Sequence, residues 1–128
     1  MATATLREAR LPLSDAPAEG ERLLVDLAGH RVGVYCVDGD FFALADRCPH
    51  RGAPLCSSGE VVSAVEGAGD ERRVTRPGAL VRCPWHKWDF DIASGRCEVD
   101  ARLRVRRYPV RTEGEELVVR LDADRAAD

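Results

Sequence analysis

Residues 22–45, RLLVDLAGHRVGVYCVDGDFFALA, decide the fold. Three runs rich in β-branched and aromatic residues, Arg22–Leu27, His30–Val37 and Asp40–Ala45, are separated by the dipeptides Ala28-Gly29 and Asp38-Gly39. Asp-Gly between two such runs is among the strongest hairpin signals, because the favoured two-residue turn needs positive φ at both positions. The stretch therefore reads as an antiparallel meander of three strands. Downstream, residues 61–65 and 72–75 flank Gly67-Ala68-Gly69-Asp70 as a further hairpin, and Arg76-Pro77-Gly78 reads as a turn. Residues 79–82 and 88–92 read as short strands, and 103–111 and 116–121 as a closing pair around Glu113-Gly114. Residues 1–20 read as a short leading strand and a loop, and 122–128 as a frayed tail. No segment sustains a helical period. The expected fold class is all-β, an antiparallel sandwich or barrel in a single domain over residues 1–128.

Composition narrows the function. With 128 residues, 45% hydrophobic and 32% charged, the chain is long enough for one real core. A net charge of −3 gives no reason to expect a nucleic-acid partner. No apolar run approaches the roughly 18 residues of a membrane-spanning helix, so no membrane is expected. Arg7, Glu8 and Arg10 interrupt the N-terminus, which has no apolar export core. Five cysteines is an odd number and argues against a disulfide framework. The expected compartment is the cytoplasm, where thiols stay reduced.

Two boxes carry the chemistry: Cys48-Pro49-His50 and Cys83-Pro84-Trp85-His86. They hold two of the three histidines in the chain. Each offers one thiolate and one imidazole, both competent for iron or zinc. The prolines fix φ and remove a backbone donor, which stiffens the loops. The boxes are 32 residues apart, so two loops of a β scaffold must face each other. Two geometries accommodate such a set: a zinc tetrahedron, or a 2Fe-2S cluster with both thiolates on one iron and both imidazoles on the other. One Cys and one His per loop suits the second arrangement, since each loop then touches both irons. His30 has no cysteine or carboxylate cluster near it in sequence and reads as a strand residue beside a turn.

CPHRGAPL, then CPWH, then FDIASGR resembles the Rieske 2Fe-2S proteins, specifically the soluble ferredoxin type that supplies oxygenases. The resemblance runs from about residue 20 to 121. It implies a Rieske-type antiparallel β sandwich with a small cluster-binding subdomain at about residues 46–97. It also implies a 2Fe-2S cofactor, with Cys48 and Cys83 on one iron and His50 and His86 on the other. Cys36, Cys56 and Cys97 are left as buried small hydrophobes.

The departures from the family pattern are informative. Respiratory relatives carry an extra disulfide-forming cysteine in each loop; Ala53 and Trp85 occupy those places here. They also place hydroxyls where this chain has Trp88 and Phe90. Hydrogen bonds to cluster sulfur stabilise the reduced state, so the expected potential lies near the low end of the roughly −150 to +300 mV Rieske range. Lys87 stands where the family usually has glycine. The hairpin at about residues 61–77 is an extension relative to the shortest ferredoxins. Arg102, Arg104 and Arg106 alternate along an expected strand and would share one face, either a solvated one or a docking face for an acidic partner.

An oxygenase needs a second, mononuclear iron with two more histidines and a carboxylate, and only His30 remains. Phosphate-cradling glycine motifs and nucleophile elbows are missing from the sequence. The chain is thus expected to be a non-enzymatic one-electron carrier, a monomer, taking electrons from a reductase and passing them to a terminal oxygenase. The alternatives are a subunit bound permanently to a larger enzyme such as a nitrite reductase, and a zinc-stabilised binding module.

Overall fold

The computed structural model describes residues 8–49, 51–85 and 87–121. The tail expected to fray, 122–128, and the histidines of both boxes, His50 and His86, lie outside the described residues. Among the described residues, ten strands form three antiparallel sheets, as the alternating pattern requires. The meander is β2 (Arg22–Leu27), β3 (His30–Val37) and β4 (Asp40–Ala45), extended by β8 (Arg107–Tyr108) in the order β2-β3-β4-β8. Both of its hairpins close with two residues at positive φ: Ala28 and Gly29 at 52° and 87°, Asp38 and Gly39 at 54° and 83°. That is the turn whose twist matches the strands. β1 (Glu8–Pro12), β10 (Glu116–Arg120) and β9 (Val110–Glu113) make the second sheet, ordered β1-β10-β9. β5 (Glu60–Glu66), β6 (Arg73–Arg82) and β7 (Asp89–Asp91) make the third, in chain order.

The meander is the middle layer, and the two-residue period of its strands divides the core in two. Val32 and Val34 of β3 and Ala43 of β4 pack with Tyr108, Leu117, Val119 and Leu121 on the β1-β10-β9 side. Tyr35 and Leu44, pointing the other way, pack with Leu55, Val81, Phe90, Ile92 and Val105. Each fully buried Leu, Ile or Phe contributes roughly 1.5–3 kcal/mol. The same second cluster contains Cys48 and Cys83. The core residues between β4 and β8, from Cys48 to Val105, are therefore packed on one face of the meander.

Four local readings change. Residues 55–58 are a helical turn, α1 (Leu55–Ser58), where a loop was expected. Its place is set by Gly33: a Cβ there would come within 2.6 Å of the Cys56 Cβ, so only glycine lets α1 lie directly on β3. Arg76-Pro77-Gly78 is not a turn; β6 runs through it to Arg82, absorbing Arg76 at φ 48° and Gly78 at φ 63° opposite a register shift between Val62 and Ala64. Four residues of β6, numbers 76–79, stand opposite Ser63 alone, which kinks the strand without ending it. The expected strand 103–111 is broken into β8 and β9 by Pro109, and residues 101–106 are not strand. Trp88 lies just outside β7.

Candidate metal centre

Both boxes begin at the end of a strand and are closed by the same pair of backbone hydrogen bonds. The Cys48 N–H donates to the Ala53 carbonyl at 2.8 Å, and the Gly52 N–H donates back to the Cys48 carbonyl at 2.7 Å. In the second loop the Cys83 N–H donates to the Trp88 carbonyl at 2.8 Å, and the Lys87 N–H to the Cys83 carbonyl at 3.0 Å. The loops are thus the same device used twice, with cysteine first, a left-handed residue fifth and the closing carbonyl sixth. The fifth residue is Gly52 at φ 78° in one and Lys87 at φ 59° in the other. Lys87 therefore holds a glycine conformation at a cost of roughly 1–2 kcal/mol.

The two thiols are each only 1% exposed. Ala53 is fully buried and Trp85 is 56% exposed, so the places of the family disulfide hold a core methyl and a surface indole. All five cysteines are buried and none forms a disulfide. Cys36, Cys56 and Cys97 take the packing role expected of them. The Cys56 thiol donates to the Ala45 carbonyl at 3.5 Å, and burial pushes its pKa up to about 12, so it stays protonated. Cys36 donates to Glu19 at 3.6 Å, and burial also raises its pKa.

Carboxylates beside the two boxes anchor the loops. Asp46, two residues before Cys48, accepts from the Cys56 and Ser57 N–H groups at 2.7 and 3.0 Å and from the Ser57 hydroxyl at 2.8 Å. It ties the start of the first box to the helical turn that follows it, and Arg31 approaches it at 3.6 Å. Arg82 and Asp89, cross-strand partners flanking the second box, form a two-pronged pair at 2.7 and 3.1 Å. Arg76 bridges Asp91 and Glu98 at 2.9 and 3.0 Å. The signal available in sequence was weak: an Arg and an Asp immediately outside the closed loop, and an Asp ten residues before the backbone it caps.

The other candidates separate from the boxes. His30 meets Tyr108 edge-on at 6.0 Å. Arg102 is clamped to Asp100 of its own turn at 2.9 Å, and Arg106 stacks over Tyr108 and donates to the Leu121 carbonyl. With no strand through 101–106, the three arginines do not form the single face expected of them.

Two buried thiols, one from each of two like-shaped loops resting on one core, fit a cluster that takes one thiolate per loop. Among the described residues no three His, Cys, Asp or Glu side chains gather as a metal site; the imidazoles the boxes offer belong to His50 and His86.

A mostly antiparallel β chain with two such thiol loops defines a small iron–sulfur protein, and residues 9–112 match the Rieske [2Fe-2S] domain. The chain belongs to that family, whose cofactor is the Rieske 2Fe-2S cluster. It is 37% identical over 112 residues to the ferredoxin component of the p-cumate 2,3-dioxygenase system of Pseudomonas putida, covering 86% of this chain and 82% of that one. In fold it is similar to the ferredoxin of carbazole 1,9a-dioxygenase from Nocardioides aromaticivorans IC177, with a TM-score of 0.64 and 24% identity over 88% of this chain and 95% of that one. It is equally similar to a putative NADH-dependent nitrite reductase small subunit from Mycobacterium tuberculosis, with a TM-score of 0.66 and 24% identity over 93% of this chain and 98% of that one. Among the described residues no helix is long and apolar enough to cross a membrane.

Proposed function

We propose that this protein is a one-electron carrier that takes electrons from a reductase and delivers them to a terminal oxygenase, working in the cytoplasm. The observation that carries the reading is the pair of equivalent loops, each opening on a buried thiol, in a chain of the Rieske family. Cys48 and Cys83 would hold one iron of the cluster and His50 and His86 the other, within a cluster-binding subdomain of about residues 46–97. When bound, the cluster supplies reversible one-electron chemistry. The chain's own residues do the rest. The loop hydrogen bonds and Asp46 fix the thiol positions, and Leu55, Phe90 and Ile92 keep water from the thiol side. The likeness to dioxygenase ferredoxins favours an oxygenase as acceptor; the likeness to the nitrite reductase subunit, at 24% identity, speaks only to fold.

The test is a reductive titration of the protein as isolated, followed by reoxidation with a one-electron acceptor. About one electron per chain should be taken up and returned, with a midpoint near the low end of the roughly −150 to +300 mV range. Supplied with dioxygen and an aromatic substrate but no oxygenase, the protein should form no product. A midpoint above about +150 mV would overturn the low-potential reading, and turnover by the protein alone would overturn the carrier role.

A further inference from the structure

The chain passes from the first box to the second through the helical turn α1. The first loop closes where the Cys48 N–H donates to the Ala53 carbonyl, two residues before α1 begins. At the start of α1 the Asp46 carboxylate accepts from the Cys56 and Ser57 N–H groups. At its end the Gly59 N–H donates to the Leu55 carbonyl at 3.0 Å. The next residue, Glu60, is the cross-strand partner of Arg82, which immediately precedes Cys83. Gly59 is buried, and its backbone is ordinary, with φ −79° and ψ 174°. Space rather than conformation reserves the position for glycine. A Cβ there would run into the Leu55 carbonyl oxygen and stand 2.6 Å from the Arg82 carbonyl oxygen. One of these atoms lies on the segment leaving the first box, the other on the segment entering the second. Neither belongs to a side chain that could rotate away. Leu55 is fully buried in the core, and Arg82 is held by its pairing and ion pair with Asp89.

We infer that Gly59 is a positioning residue for the cluster: by letting the Leu55 and Arg82 carbonyls close on its α-carbon, it sets the separation of the two box loops, with α1 as the strut between them. That role rests on the reading that both boxes hold one cluster, and adds what fixes the distance between its two halves. A methyl at Gly59 must displace either α1 or the end of β6. The first movement carries the loop of Cys48, the second carries Cys83. A cluster that takes one thiol from each loop is strained by either. Groups behind metal ligands act in this way, and losing one typically costs about ten- to a hundredfold in metal affinity.

The test compares Gly59→Ala with Leu117→Ala, which opens a cavity in the core on the far side of the meander and touches neither α1 nor a box. Both variants should lose Tm. Only Gly59→Ala should change the g-values of the reduced protein's EPR signal, move the midpoint, and speed loss of iron to a chelator about tenfold at an equal interval below its own Tm. Parent-like g-values, midpoint and iron loss in a folded Gly59→Ala overturn the positioning role, as do equal changes in Leu117→Ala. Hydrogen exchange of the parent, followed by mass spectrometry, carries the test if Gly59→Ala does not fold. It also carries it if the parent shows no Rieske signal, a result that sinks the shared-cluster reading without touching the strut. Segments 48–53, 55–60 and 82–88 should open as one unit with matching protection. A 55–60 segment that exchanges ahead of both boxes overturns the strut.

Discussion

Lys87 is the residue on which sequence and geometry meet most sharply. Resemblance to the family marks it as a lysine in a glycine place, and the backbone shows why the place is glycine's: φ is 59°. Lys87→Gly should therefore stabilise the protein by about 1 kcal/mol, raising Tm by about 4 °C for a chain of this size, measured by thermal unfolding of the loaded protein. An unchanged or lower Tm would mean that the lysine side chain returns what its backbone costs. Cys56 sets a pH limit. Its folded pKa is raised to about 12 by burial, above the unfolded thiol value of about 8.5. The neutral thiol is the form the core accepts, so this contribution is fully present below about 8.5 and is lost as pH climbs toward about 12. Tm should fall across that window, and Cys56→Ala should flatten the fall. The equivalent of Ser or Tyr in high-potential relatives can be restored at Phe90, a buried residue of β7. Phe90→Tyr should raise the midpoint by about 40 mV, the equivalent of one hydrogen bond of about 1 kcal/mol in a one-electron couple.

At the scale of elements, the first box is held by the helical turn behind it. Asp46 caps α1 with three hydrogen bonds while standing two residues from Cys48. Asp46→Ala should cost about 1–2 kcal/mol of stability and shorten the time for which the loaded protein keeps its colour; an unaltered bleaching rate would show that α1 does not steady the loop. Gly33→Ala should be worse, because its Cβ would strike Cys56 and lift α1 from β3. The meander was legible because its signals are local: Asp38-Gly39 and Ala28-Gly29 dictate their own turns. Arg76-Pro77-Gly78 misled because a bulge uses the same residues as a turn, and only the partner strand β5 decides that the chain continues. Residues 101–106 misled in the opposite sense. Their alternation is that of a strand, but Leu103 bonds to Asp100 and Cys97, which holds them in a turn.

For the whole molecule, the sequence carried the class of fold and the two boxes, because each depends on residue type at fixed spacing, and its resemblance to the Rieske family carried the cofactor. It did not carry the three-layer arrangement, which comes from which face of β3 and β4 each side chain takes, nor the equivalence of the two loops, which lies in backbone hydrogen bonds. Nor did it carry the pairing of the acids beside the boxes, where Asp46 meets the α1 backbone and Arg31, Asp89 meets Arg82, and Asp91 meets Arg76. The account as a whole stands on one claim, that the two loops together hold a single Rieske cluster through Cys48, His50, Cys83 and His86. Iron and sulfide content, with the EPR spectrum of the reduced protein, tests it most directly. About two irons and two sulfides per chain, a Rieske signal on reduction, and loss of that signal in His50→Ala and in His86→Ala are the predicted result. One zinc per chain with no EPR signal, or a Rieske signal unaltered by either substitution, would contradict it.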